Sequence, residues 1–131
     1  MAGNSIIQRG RTTDLGTIRL HNDVISSIAA IASTEIKGVY KLGGNFAKNI
    51  YDLLTTKGSI KGVRVVSQEN DVRLAVSIIV EYGVNIPRVA DEVQENIKRQ
   101  VEKMTGLMLH EVNVDVEGVH YGAGHQKEVS G

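Results

Sequence analysis

The feature that most constrains this chain is an alternating run from Val72 to Tyr82, followed after a few residues by a helical stripe that runs to Met104. In the run, Val72, Leu74, Val76, Ile78, Val80 and Tyr82 fall on one strand face, and Arg73, Ala75, Ser77, Ile79 and Glu81 on the other. Side chains alternate across a strand, so the first face is suited to burial and the second mostly to water. In the stripe, Ile86, Val89, Ala90, Val93, Ile97, Val101 and Met104 recur at helical spacing. A strand with one apolar face, beside an amphipathic helix, is solved most simply by laying the helix on the sheet.

Punctuation supports both elements. Gly83 ends the run, Asn85 is a candidate helix cap, and Pro87, the chain's only proline, sits in the first turn, where its missing N–H costs nothing. Gly106 closes the helix, whose wet side offers Glu95 and Arg99 at the favourable i, i+4 order. Upstream, Val63 to Ser67 reads as a strand joined to the long run through the polar turn 68–71. Downstream, Leu109 to Glu117 alternates again, with Val112, Val114 and Val116 on one side and Glu111, Asn113, Asp115 and Glu117 on the other.

The first half repeats the theme more weakly. Thr17 to Leu20 alternates as a short strand. A helix then starts at Asn22, read as its cap, carries Val24, Ile25, Ile28, Ile31 and Ala32 at helical spacing, and stops at Gly38. Val39-Tyr40 forms a brief extended piece, 45–54 has a second helical reading through Phe46, Ile50, Leu53 and Leu54, and 55–62 is a loop. The expected fold is α+β: a two-layer sandwich with two amphipathic helices packed on one face of a small mixed or antiparallel sheet. The expected organisation is a flexible leader over 1–14, one domain over 15–119 and a flexible tail over 120–131. The other sheet face is left to solvent or a partner.

Composition narrows the function classes. Fifteen Lys plus Arg balance fifteen Asp plus Glu, so no whole-protein field gathers nucleic acid or anionic membrane. Zero cysteines exclude disulfides, thiolate zinc sites and cysteine nucleophiles together. The most hydrophobic run, Leu74 to Val80, is far shorter than the roughly 20 residues a spanning helix needs. No signal peptide is legible at the N-terminus. The expected location is cytoplasmic, with membrane association only through a partner.

No catalytic or cofactor motif survives inspection. Gly38 and Gly43 have the spacing of a phosphate loop, but Gly44-Asn45 stands where Lys and Ser or Thr are required. The histidines at 21, 110, 120 and 125 form no i, i+4 pair, and Glu111, Asp115 and Glu117 read as a wet strand face. The serines include no nucleophile elbow, and Ser26, Ser27 and Ser33 read as small residues of a packed helix. Lys57, Lys61, Arg64 and Arg73 could form a basic patch for RNA. Against that, Gly58 and Gly62 have the wrong spacing for a KH loop, and four tyrosines and one phenylalanine are too scattered for a stacking platform.

The order of several short segments resembles one family. Gly16-Thr17-Ile18-Arg19-Leu20 with Asp23-Val24-Ile25 and Glu35-Ile36-Lys37-Gly38-Val39 is similar to the opening of the bacterial alkaline shock protein twenty-three family. Lys61-Gly62-Val63-Arg64-Val65, Val80-Glu81-Tyr82-Gly83, Ile86-Pro87-Arg88-Val89-Ala90, Thr105-Gly106-Leu107, Val112-Asn113-Val114 and Gly118-Val119 continue it in order. The resemblance spans about 15–121 and implies a cytoplasmic protein, mostly of Gram-positive bacteria, serving envelope stress and homeostasis without enzymatic activity or cofactor. It further implies self-association and a membrane-anchored protein partner. It carries no catalytic or metal site to transfer.

The expectation is therefore a non-enzymatic scaffold or adaptor, with an RNA-associated regulator as the alternative. Ile79 and Leu109 interrupt otherwise polar strand faces. The open sheet face, including Arg64, Arg73, Ile79, Glu81 and Glu111, is the expected contact with a second copy or partner.

Overall fold

A computed structural model describes residues 10–44, 60–68 and 71–122. Along the chain it has strands β1 (Gly10–Thr13) and β2 (Gly16–Arg19), helix α1 (Asn22–Thr34), strands β3 (Val39–Leu42), β4 (Val63–Gln68) and β5 (Asp71–Glu81), helix α2 (Ile86–Thr105) and strand β6 (Leu109–His120). The helical reading of 45–54 and most of the 55–62 loop lie outside the described residues.

β5 is the spine. β3 and β4 both pair with it antiparallel, and β6 pairs with it in parallel, so the sheet is mixed. β4 spans Asp71 to Val76, and β3 spans Ile78 to Val80 along the same edge. The changeover is at Ser77, whose N–H donates to the Gly62 carbonyl at 2.9 Å and whose carbonyl accepts from the Gly43 N–H at 2.7 Å. β3 and β4 thus act as one strand interrupted by the intervening chain. β6 takes the opposite edge along almost its whole length. A parallel neighbour requires a crossover, which α2 supplies.

Both helices cover one face. Ile25, Ile28, Ala29 and Ala32 of α1 and Val89, Val93, Ile97 and Val101 of α2 are buried against Val72, Leu74, Val76, Ile78 and Val80 of β5, joined by Val63 and Leu109. Each valine, leucine or isoleucine among them contributes about 1.5–3 kcal/mol when fully buried. This is the expected two-layer α+β sandwich with both helices on one side of the sheet.

Local chemistry sets the helix ends. Asn85 caps α2, its side chain accepting from the Arg88 N–H at 3.0 Å, and Gly106 closes the helix at φ 78°. Asn22 is the first helical residue of α1 and not its cap; His21 holds that position without a side-chain bond. α1 stops at Thr34, four residues before Gly38, and its last carbonyls find local and tertiary donors. Asn96, buried in α2, supplies one of them, donating to the Ala32 carbonyl at 2.9 Å and to Glu35 at 3.1 Å. Gly38 itself adopts φ 108°, and a Cβ there would lie 2.8 Å from Val89, so only glycine admits this approach of β3 to α2.

Several side chains depart from expectation. Leu109 does not interrupt a wet face: it is buried at 5% exposure, opposite Val72, because a register shift before Glu111 turns it to the core. Tyr82, expected on the buried face, lies just beyond β5 and is exposed. Ile31 and Met104, assigned to apolar helical stripes, are also exposed, since each helix buries a narrower arc than its pattern allows. Ser26 and Ser33 are buried in α1 as expected, whereas Ser27 is exposed. Arg99 reaches Asn96 at 3.1 Å, and among the described residues the i, i+4 ion pairs of α2 are Arg88 with Glu92 and Lys98 with Glu102.

Candidate functional site

The candidate site is the sheet face opposite the helices. Odd-numbered residues of β5 point there, together with the residues that register beside them. Arg73 and Glu111 are direct neighbours, and Arg64 lies beside Ala75 on β4. Ile79 and Glu81 belong to the other end of β5, roughly 20 and 26 Å from Arg73 at strand rise. All five residues expected to form the interaction face therefore share one surface, as two separated groups.

The first group is an ion-pair cluster. Arg73 contacts Asp71 at 3.0 Å and Glu111 at 3.2 Å. Asp71 also faces His110 at 3.3 Å, and Asn113 donates to Glu111 at 2.9 Å. Two carboxylates beside one guanidinium leave little net positive charge for phosphate, which weakens an RNA reading of this end. Val66, on the same face beside Arg73, is 47% exposed and supplies an apolar contact point.

A latch lies at mid-face. The Ser77 side chain, wholly buried, donates to Glu117 at 2.8 Å, and the Gly44 N–H reaches the other carboxylate oxygen at 3.4 Å. Glu117 sits at the shift in β6 register between Val116 and Gly118, so the extra residue leans over β5. A Cβ on Gly43 would fall 2.5 Å from this carboxylate and 2.9 Å from Ser77. The groups are mutually satisfied, which makes this a structural closure of the split edge.

The second group is aromatic. Tyr40 and His120 stack with centroids 3.6 Å apart and planes 3° from parallel, bridging β3 and β6 above β5. Glu81 lies 3.8 Å from the same imidazole, and Lys41 stands 6.0 Å above the Tyr40 ring. Tyr82 and Tyr121 meet at 4.7 Å. Sequence reasoning treated the tyrosines as scattered and missed this convergence. The parallel pairing of β5 and β6 creates it, because their C-terminal ends, where Tyr82 and Tyr121 follow, come together. The missed signal was the strand–helix–strand order, which marks a crossover.

No three His, Asp or Glu side chains among the described residues converge as metal ligands. Lys57 lies outside the described residues, and Lys61 approaches the backbone at Gly44. No described helix is long and apolar enough to cross a membrane.

Comparison with known proteins locates this architecture. Residues 10–121 match the model of the Asp23 family, described as having a cell envelope-related function. An uncharacterized Bacillus subtilis protein, YqhY, is 34% identical over 122 residues, covering 92% of this chain and 90% of the relative. An uncharacterized Streptococcus pyogenes protein, Spy1614, is 34% identical over 106 residues, covering 79% and 88%. A Streptococcus pyogenes protein called a stress response regulator gls24 homolog is 29% identical over 102 residues, covering 77% of this chain and 57% of the relative. The chain belongs to the Asp23 (alkaline shock protein 23) family, whose described function is cell envelope-related.

Proposed function

Starting from membership of the Asp23 family, we propose that this protein is a non-enzymatic scaffold or adaptor of the envelope stress response. It self-associates in the cytoplasm and docks on a membrane-anchored protein through its open sheet face. The observation that carries this reading is the one-sided sandwich: both helices cover one face of the sheet, while Val66, Ile79 and Tyr40 stand on the other among paired charges. A face with apolar points toward both ends, set among paired charges, suits a protein surface better than a small ligand or a nucleic acid.

The test is an affinity capture from a lysate that includes membranes, comparing wild type with Val66→Glu and Ile79→Glu. The expected result is one integral membrane protein recovered by wild type and lost from both variants, with circular dichroism unchanged. Recovery of RNA or ribosomes, or equal recovery of the same partner by all three proteins, would overturn the docking face.

A further inference from the structure

Two elements of this fold are incomplete in a single copy, and they complement one another. The first is the β1–β2 arm. Its strands pair with each other in a four-residue register and, among the described residues, belong to no other sheet. Residues 12–19 are all exposed, Leu15 at 98% and Ile18 at 55%. A lone two-stranded hairpin is marginal in water, so an arm of this kind gains order only from a further strand or an apolar cover.

The second is the outer edge of β6. Among the described residues β6 pairs with β5 alone, although it is 12 residues long. The Val112 carbonyl accepts from the Gln94 side chain at 3.0 Å, so its peptide points away from β5, and the two-residue repeat turns Val114 and Val116 the same way. Of the usual edge guards β6 has acids and two register shifts but neither lysine nor proline, so the stretch from Val112 to Val116 between the shifts still offers outward backbone groups. Val116 and Val119 are exposed on it. Glu111 and Glu117 on it are engaged by Arg73 and Ser77, whereas Asp115 is exposed and carries the sign opposite to Arg19 of the arm.

We propose that the β1–β2 arm of one copy adds as a strand to the outer edge of β6 in a second copy. This gives a location to the self-association in the proposed function, on which it rests. The contact extends the sheet sideways and leaves the open face free for a different partner. Ile18 and Leu15 of the arm then cover the exposed valines of β6, and Arg19, the next residue on the arm and therefore on its other face, meets Asp115.

The test uses full-length protein in sedimentation and light scattering. Two arm variants, Ile18→Lys and Thr17→Pro, and one edge variant, Val116→Lys, fall at exposed positions, Thr17→Pro also removing a backbone N–H of an arm that pairs with no other described strand, so each should keep the wild-type circular dichroism and melting curve. Each is expected to weaken association by about tenfold or more. An arm variant mixed with the edge variant is expected to form pairs, because one supplies an intact edge and the other an intact arm. A wild type that stays monomeric defeats self-association itself. A wild type that assembles while the arm and edge variants assemble equally well, or a mixture that forms no pairs, overturns the arm-to-edge contact and leaves the family-based reading standing.

Discussion

Ser77 donates its hydroxyl to the Glu117 carboxylate at 2.8 Å, at the point where the neighbour of β5 changes from β4 to β3. One side chain thereby ties the middle of the central strand to the displaced residue of β6 and, through Gly44, to the end of β3. Removing the donor leaves a carboxylate partly covered and short of a partner. Ser77→Ala is expected to lower stability by about 1–2 kcal/mol. Glu117→Gln should cost less, since the amide oxygen still accepts. Urea denaturation with an unchanged m-value checks both.

Asn96 holds the two helices together by donating to the Ala32 carbonyl and to Glu35 from a buried position. Asn96→Ala leaves that carbonyl without its tertiary donor and should cost about 1–3 kcal/mol. Asn96→Asp, nearly the same shape, should cost at least as much, because it sets an acceptor against two acceptors. Paired thermal melts distinguish loss of shape from loss of a donor.

The Glu102 carboxyl is held below its ordinary value of 4.5, first by its hydrogen bond from Lys98 and then by the Leu109 N–H. Its folded value lies below the unfolded one, so its contribution is fully present above the ordinary carboxylate range. That contribution is lost as pH falls from about 4.5 through the lowered value. Glu102→Gln should therefore reduce stability near neutral pH and flatten its loss on acidification. Denaturant titrations at neutral pH and near pH 3 measure the difference, and parallel curves for the two proteins would refute it.

Gly38 lets β3 pass close to α2. Gly38→Ala places a methyl 2.8 Å from Val89 Cγ2 on a backbone at φ 108°. The left-handed backbone alone should cost about 1–2 kcal/mol, and the contact adds to it. In a Val89→Ala background only the contact is relieved, so the glycine substitution should cost less there without becoming neutral. A double-mutant cycle by urea denaturation reads this directly.

Much of the fold was legible because its signals are local. The spacing of Ile25, Ile28 and Ala32, and of Val89, Val93, Ile97 and Val101, placed both helices on the correct face of the sheet. Asn85 and Gly106 marked the ends of α2 through chemistry confined to one turn. The face holding Arg64, Arg73, Ile79, Glu81 and Glu111 followed from strand alternation. Alternation failed at Leu109, because a single extra residue in β6 reverses the side toward which the strand's start points. Helical spacing failed at Ile31 and Met104, because periodicity marks the apolar arc but not how wide an arc the sheet can cover.

The sequence by itself determined the two amphipathic helices, the buried face of β5 and the absence of any recognisable catalytic motif, since each depends on residue type and short-range spacing. Tertiary structure alone decided that β6 runs parallel to β5, that β3 and β4 share one edge of it, and that Tyr40 reaches His120. Strand pairing is made by backbone groups that every residue carries, so side-chain pattern tells which face is buried and leaves the neighbour, its direction and its register to long-range packing. The meeting of Ser77 with Glu117 belongs to that second kind of information.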